Sequence, residues 1–407
     1  MTTLATGRFT PSGARGPKFG GTAMLSAARC VFAMSLVSFV LPASSGAEPF
    51  RYPPGKQDKA ELAHVRGLPV LCVEGDPEEL GAQIGLLAVK PAARLLDYPR
   101  DFLGKNGRAE AWPRLVAAGK EMLANFPREH LRELEATVKA TGLDRDLFVA
   151  ANTLFDMQKP IACSVLMVEG QRSAGDGPLF GRNLDFPTLG YLHEYTLVTV
   201  YRPKGKRAFV SVGFPGLVGC VSGMNDAGLT LAVLEVYATK DESPVFDPQG
   251  TPYALCFRRL LEECTTVDEA EKALRAMKRT TRINLAVCDM KRSAVFEITP
   301  KSLVVRNAVD GICACTNHFR TRELATAYNC RRYDALEESR RLNRLNVAEV
   351  QERLHAARQD DTHQTMVFEP AALKLHLACG KCPSSALPLK TVELAPLFRG
   401  GSPQPID

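Results

Sequence analysis

Position 163 carries a cysteine at a junction where a helical stretch gives way to short β-type runs. Eighteen residues later comes Gly181-Arg182-Asn183-Leu184-Asp185-Phe186, a strand that ends on an arginine and an aspartate. In cysteine chemistry the thiolate is the nucleophile, and a nearby guanidinium lowers the thiol pKa from its free value of about 8.5. Cys163 with Arg182 and Asp185 therefore describes an activated sulfur nucleophile. The residues alone also fit a plainer description, with Cys163 a buried strand cysteine and Arg182 and Asp185 an ion pair at a turn. The chain has no Gly-x-Ser-x-Gly elbow, phosphate loop, dinucleotide fingerprint or His-Glu-x-x-His pair. Three further segments carry polar groups at strand ends or tight turns. These are Gly223-Met224-Asn225-Asp226-Ala227-Gly228-Leu229, Cys315-Thr316-Asn317-His318-Phe319, and Thr362–Phe368 with the following Glu369-Pro370-Ala371-Ala372.

The elements that must position these groups follow from periodicity. Residues from about 48 to 162 read as mostly helical. Asp76-Pro77-Glu78-Glu79 supplies an N-cap, a first-turn proline and acidic residues, and Gly142 stands where a C-cap belongs. From Cys163 onward, six β-type runs separated by Gly, Pro and Asn/Asp turns extend to Tyr237. Two helical stretches, four more strands, two more helices and a last hairpin follow. Blocks of strands alternating with blocks of helices predict an α+β fold of two antiparallel sheets with helices packed on them. A doubly wound sheet would alternate strand and helix singly.

In this order and spacing the set resembles the cysteine branch of the N-terminal nucleophile (Ntn) hydrolases. Within that branch it most resembles the acyl-coenzyme A:isopenicillin N acyltransferase family, with choloylglycine hydrolases, penicillin V acylases and acid ceramidases as more distant relatives. The resemblance runs from about Gly75 to Leu397, and Gly-Arg-Asn-Leu-Asp and Thr-Asn-His-Phe are its specific motifs. It implies a four-layer αββα sandwich preceded by a helical pro-segment. Cleavage between Ala162 and Cys163 would give chains 48–162 and 163–407, held together by packing. It implies that Cys163 is the nucleophile, that Arg182 and Asp185 hold the freed amine and the thiolate, and that Asn317 lines the oxyanion hole. Arg332, before Tyr333, matches an active-site arginine, with Arg331 as the fallback. Glu235 falls where bile-salt hydrolases carry an asparagine, and an ionised glutamate cannot donate a hydrogen bond there. The sequence departs from the family's usual Gly-Cys-Thr, with Ala162 before the nucleophile and Ser164 after it. Phe186, Phe214, Leu217 and Phe319 adjoin the motif residues and are either an apolar acyl pocket or ordinary core.

The expectation is an exported, self-processing amidohydrolase that cleaves a non-peptide C–N bond of an N-acyl amide through a thioester at Cys163. A free α-amine of pKa about 8 on the nucleophile's own residue can take the thiol proton without a histidine. The alternatives are transfer of the acyl group to an amine, a papain-like pair of Cys163 with His318 or His193, and a non-catalytic exported binding protein. No cofactor or metal is expected. The expected partners are a small N-acyl amide and the chain's own pro-segment.

Composition sets the frame. The chain has 407 residues with 45% hydrophobic and 24% charged, an ordinary globular balance. Val31–Leu41 is an apolar run preceded by Arg29 and followed by Ser44-Ser45-Gly46-Ala47, which reads as a secretory signal cut after Ala47. At 11 residues it falls short of the roughly 20 that a spanning helix needs, although an uncleaved anchor is the other reading. A periplasmic or secreted location is expected. Residues 1–47 hold four basic and no acidic residues, so removing them lowers the net charge from +6 to +2. That balance gives no argument for nucleic acid or for an anionic membrane. Eleven cysteines follow residue 47. Cys379 and Cys382 are spaced for a disulfide, or for a metal corner with His376; Cys288, Cys313 and Cys315 read as buried small hydrophobes.

Overall fold

The computed structural model describes residues 48–157 and 161–405, so the apolar run read as an export signal lies outside the described residues. The described chain opens with three strands, β1 (Gly55–Gln57), β2 (Ala60–Val65) and β3 (Leu68–Gly75). Five α-helices follow: α1 (Pro77–Ile84), α2 (Tyr98–Lys105), α3 (Trp112–Met122), α4 (Arg128–Thr141) and α5 (Arg145–Met157). The Asp76–Glu79 capping box starts α1, and Gly142 ends α4 in the left-handed conformation. The segment 48–162 is thus helical only from Pro77 onward. Its first strands are an addition to the expected helical pro-segment, and they enter the same sheet as strands of the later segment.

Six strands come next: β4 (Ala162–Val168), β5 (Leu179–Asp185), β6 (Leu197–Pro203), β7 (Phe209–Gly213), β8 (Ser222–Asn225) and β9 (Thr230–Glu235). Helices α6 (Tyr253–Glu263) and α7 (Val267–Arg275) precede β10 (Ile283–Cys288), β11 (Ser293–Ile298), β12 (Leu303–Asn307) and β13 (Ile312–Cys315). The chain ends with α8 (Arg331–Glu337), α9 (Val347–Ala356), β14 (Thr362–Glu369), β15 (Lys374–Cys379), β16 (Lys390–Glu393) and α10 (Leu394–Phe398).

Ten strands form one sheet in the order β1-β2-β3-β6-β7-β8-β9-β10-β11-β12, and six form the other, β13-β4-β5-β14-β15-β16. All pairings between these strands are antiparallel except β3 with β6. The sheets pack face to face. Cys163, Val165 and Met167 alternate inward from β4 into the main core beside Leu231 and Val233 of β9. On the opposite face of β4, Leu166 and Val168 join Val350 and Leu354 of α9 in a second core. Helices α6 and α7 cover the outer face of the larger sheet. The layers therefore run helix, sheet, sheet, helix, as the resemblance implies. Gly181 shows how closely the outer layer sits: a Cβ there would lie 2.4 Å from Val350 Cγ1.

Candidate active site

Neighbouring strands β4 and β5 of the smaller sheet align their functional residues by register. Cys163 pairs with Leu184 and Val165 with Arg182, so Cys163 and Arg182 share the inner face. Asn183 points the other way. It donates to Leu354 O at 2.7 Å and accepts from Thr365 Oγ1 at 2.8 Å, tying the sheet to α9. The Gly-Arg-Asn-Leu-Asp motif thus divides its labour between close packing at Gly181, the site at Arg182 and Asp185, and an outer anchor at Asn183.

Cys163 is fully buried, and its backbone N–H donates to Asn317 Oδ1 at 2.8 Å. Arg332, in the first turn of α8, reaches three groups at once. It donates to Cys163 O at 2.8 Å, to Asn317 Oδ1 at 2.8 Å and to Asp185 Oδ2 at 3.2 Å. Arg331 makes none of these contacts, so the geometry favours Arg332 over the fallback. Cys330 caps α8 through its sulfur and the Tyr333 N–H, which fixes the turn carrying Arg332. Asn317 Nδ2 donates to Ile161 O at 3.2 Å and to Glu235 O at 2.9 Å. Glu235 Oε2 accepts the Ile161 N–H at 2.9 Å. Asn317 and Glu235 therefore grip the chain on both sides of Ala162.

Arg182 is completely buried and donates from Nη1 to Val233 O at 2.6 Å across the sheet interface. Its Nε and Nη2 have no hydrogen-bond partner among the described residues. A buried guanidinium with unanswered N–H groups next to a cysteine is suited to an anion on that sulfur. Burial pushes the Cys163 thiol up to about 12. Arg182 and Arg332 pull it down, while Asp185 and Glu235 push it up. Burial also raises the Asp185 carboxyl to about 7, against the pull of the Thr362 hydrogen bond and the Arg332 charge. Thr362, whose hydroxyl donates to Asp185 Oδ1, opens one of the segments the sequence picks out, but its role appears only in the structure.

The apolar candidates separate. Phe186 and Phe214 line one narrow cleft of about 50 Å³ with Tyr98, Phe155 and Leu217. Phe319 does not join them. The chain leaves regular strand geometry after Cys315, so alternation no longer sets where side chains point, and Phe319 packs with Val236 and Leu324 in a small separate core. A second concavity of about 430 Å³ opens at Asn317 and Arg332, with Tyr237 and Tyr328 on its walls. The histidines weighed as partners of Cys163 bind elsewhere. His318 Nε2 lies 3.1 Å from Thr316 Oγ1 and 3.0 Å from Arg320 Nη2, and His193 lines a pocket with Phe50 and Tyr52. His376 is engaged by Thr391 and Glu369, and all eleven described cysteines are free thiols, Cys379 and Cys382 included. Cys288, Cys313 and Cys315 are buried, as expected.

A two-sheet sandwich with helices on both outer faces, and a buried cysteine clamped at the start of an inner strand, defines an α+β protein with the architecture expected of an Ntn hydrolase. Residues 172–372, just under half of the chain, match the family model described as acyl-coenzyme A:6-aminopenicillanic acid acyl-transferase. The match begins nine residues after Cys163. A curated relative from Archaeoglobus fulgidus, described as an uncharacterized protein, is 24% identical over 275 residues. The alignment covers 58% of this chain and only 44% of the relative. Among solved structures, an N-acylethanolamine-hydrolyzing acid amidase ortholog of Caenorhabditis elegans is 18% identical, with a TM-score of 0.42 over 57% of this chain and all of that one. A mutant of conjugated bile acid hydrolase from Clostridium perfringens is 14% identical, with a TM-score of 0.39 over 57% of this chain and 92% of that one. Penicillin V acylase from Agrobacterium tumefaciens is 13% identical, with a TM-score of 0.38 over 56% and 84%. Likenesses at these scores decide nothing about activity. No described helix is long and apolar enough to cross a membrane.

Proposed function

We propose that this chain is an exported cysteine Ntn amidohydrolase that first cuts itself between Ala162 and Cys163 and then hydrolyses a small N-acyl amide. The observation that carries the reading is the clamp on that peptide bond. The Cys163 N–H rests on Asn317 Oδ1, Arg332 ties Cys163 O to Asn317 and Asp185, and Ile161 is held by Asn317 and Glu235. In the uncut chain, Ala162 is the acyl group of an N-acyl amide whose amine is Cys163.

In the first reaction Cys163 Sγ attacks the Ala162 carbonyl carbon, and the thiol proton passes to the leaving nitrogen. The C–N bond breaks to give an Ala162 thioester and a free α-amine on Cys163. Water adds to the thioester, and the C–S bond breaks to give the Ala162 carboxylate and the thiol. With its carboxyl at about 7, Asp185 is a group beside the nucleophile that can take and return a proton at neutral pH. The new α-ammonium stays within reach of Asn317 Oδ1.

In the mature enzyme the α-amine takes the thiol proton and Arg182 faces the resulting thiolate. The sulfur attacks the substrate carbonyl, and Asn317 Nδ2, freed from Ile161, offers a hydrogen bond to the oxyanion. The α-ammonium protonates the leaving amine, and water releases the acid. Transfer to another amine uses the same thioester with a different second nucleophile, and the family's description as acyl-transferases keeps it as the second reading. Export rests on the leader sequence alone. Incubating the purified protein with N-acyl amides and following the released amine tests the proposal; a chain that neither cuts itself nor releases amine would overturn it.

A further inference from the structure

We infer that Cys379 and Cys382 are the oxidation site of this chain: they close into an intrachain disulfide by exchange with a small disulfide such as oxidised glutathione, and Cys163 takes no part. The inference goes beyond the amidohydrolase reading and stands or falls apart from it.

Of the eleven cysteines among the described residues, nine are buried. Cys379 is half-buried and Cys382 is exposed, so the two thiols most open to solvent are also the pair with only Gly380 and Lys381 between them. Cys379 ends β15, and Gly380 bends the chain in the left-handed region at φ +91°. The segment is anchored on both sides of this bend. Before it, Cys379 pairs with Gln364 of β14. After it, the Ser384 and Thr365 hydroxyls lie 2.9 Å apart, and Gln351 of α9 donates to Leu387 O at 2.7 Å. Closing the pair therefore asks for movement only within the bend.

Strand register keeps Cys379 clear of the nucleophile. Cys163 faces Leu184, Leu184 faces Gln364 and Gln364 faces Cys379, so the four share one row across the smaller sheet. Three strand spacings, about 14 Å, separate the two cysteines. A disulfide needs a Cα separation of roughly 4.4–6.8 Å. Burial, with the Asp361 and Asp185 charges, pushes the Cys382 thiol up to about 11, and burial raises Cys379 to about 11 against the pull of Lys390. Thiols held this high carry little thiolate at neutral pH, so closure is slow there and quickens as pH rises. The open form also gains no thiolate stabilisation, so the closed form resists reduced glutathione.

The exchange has two steps. The Cys382 thiolate attacks one sulfur of the small disulfide, whose S–S bond breaks to release one small thiolate. The Cys379 thiolate then attacks the Cys382 sulfur of the mixed disulfide and expels the second. The pair gives up two electrons and two protons, and the small disulfide becomes two thiols.

The test incubates the folded, purified protein with oxidised glutathione, blocks the remaining thiols with iodoacetamide and digests with trypsin. Cleavage after Lys374, Lys381 and Lys390 places the two cysteines on separate peptides, 375–381 and 382–390. The expected product is these two peptides joined by one S–S bond, formed faster at higher pH. The melting temperature should rise by about 2–4 °C on closure, and Cys382→Ser should abolish both the linked peptides and the rise. Cys163→Ala should close at the wild-type rate. Thiols that all stay free would overturn the inference. So would a glutathione adduct on Cys382 that never closes, a disulfide that includes any other cysteine, or closure that needs Cys163. Each of these outcomes leaves the amidohydrolase reading in place.

Discussion

Cys163 and Asn317 meet through the backbone of one and the side chain of the other: the cysteine N–H donates to Asn317 Oδ1 at 2.8 Å. The same carboxamide donates from Nδ2 to Ile161 O, so one side chain holds the chain on both sides of the bond proposed to be cut. Asn317→Ala removes both roles. Self-cleavage, followed by intact mass against time, should slow by about a hundredfold or more, as loss of one oxyanion donor does elsewhere. Asn317→Asp keeps the acceptor and removes the donor. It should also fail to process at a useful rate; wild-type cleavage in this variant would show that the donor is not needed.

Asp185 gives a pH trend. Burial lifts its carboxyl to about 7, above the value of about 3.9 in an unfolded chain. Between those values the folded chain binds a proton that the unfolded chain has released, so this group's contribution to stability falls as pH rises through the window. Asp185→Asn removes the penalty. The melting temperature of the variant relative to the wild type should therefore rise from about pH 4 to about pH 8. A flat or falling difference would contradict the assigned environment.

Arg332 bridges groups that come from β4, β5 and the loop after β13. Arg332→Gln leaves the buried Asp185 carboxylate without its guanidinium and the Cys163 carbonyl without its donor. The side chain is partly exposed, so the stability loss should be about 1–3 kcal/mol, below the roughly 3–5 kcal/mol of a fully buried pair. Self-cleavage should fall with it. Arg332→Lys keeps the charge without the fork and should recover stability more than cleavage.

Gly181 tests the outer layer independently of chemistry. A methyl group there meets Val350 Cγ1 at 2.4 Å and Leu354 Cδ1 at 3.1 Å, and the branched valine has little room to turn. Gly181→Ala should cost about 1–3 kcal/mol in a denaturant titration, the usual range for overpacking. Combining it with Val350→Ala should restore much of that loss.

The histidine variants separate two kinds of cysteine enzyme. His318 is held by Thr316 and Arg320, and burial with the Arg320 and Arg332 charges lowers it to about 4. His318→Ala and His193→Ala should each cut themselves at rates close to the wild type. Loss of cleavage in either one would revive a Cys–His pair.

Much of this is legible in the residues because the strands from Cys163 onward are short, apolar runs, most of them bounded by Gly, Pro or Asn/Asp turns. The strands before Pro77 are not. Their signal is present: Arg66 and Gly67 both take positive φ and form a two-residue turn between two apolar runs. The flanking helical pattern draws the whole segment into one reading. The parallel pairing of β3 with β6 joins residues more than a hundred positions apart, and no local pattern carries it. At the site, Arg182, Asp185, Asn317 and Arg332 are named by motifs and do converge on Cys163. The contact of Thr362 with Asp185 is not visible in the sequence, because it depends on the pairing of β14 with β5. Phe319 is misplaced for the opposite reason, since closeness in sequence to Asn317 says nothing once strand alternation stops.

The measurement that bears most directly on the central claim is intact mass with N-terminal sequencing of the purified protein, beside a Cys163→Ala control. The account predicts two chains that remain together, one beginning at Cys163, and a single uncut chain in the control. A single chain in both samples would contradict it, as would a cut that persists without the thiol.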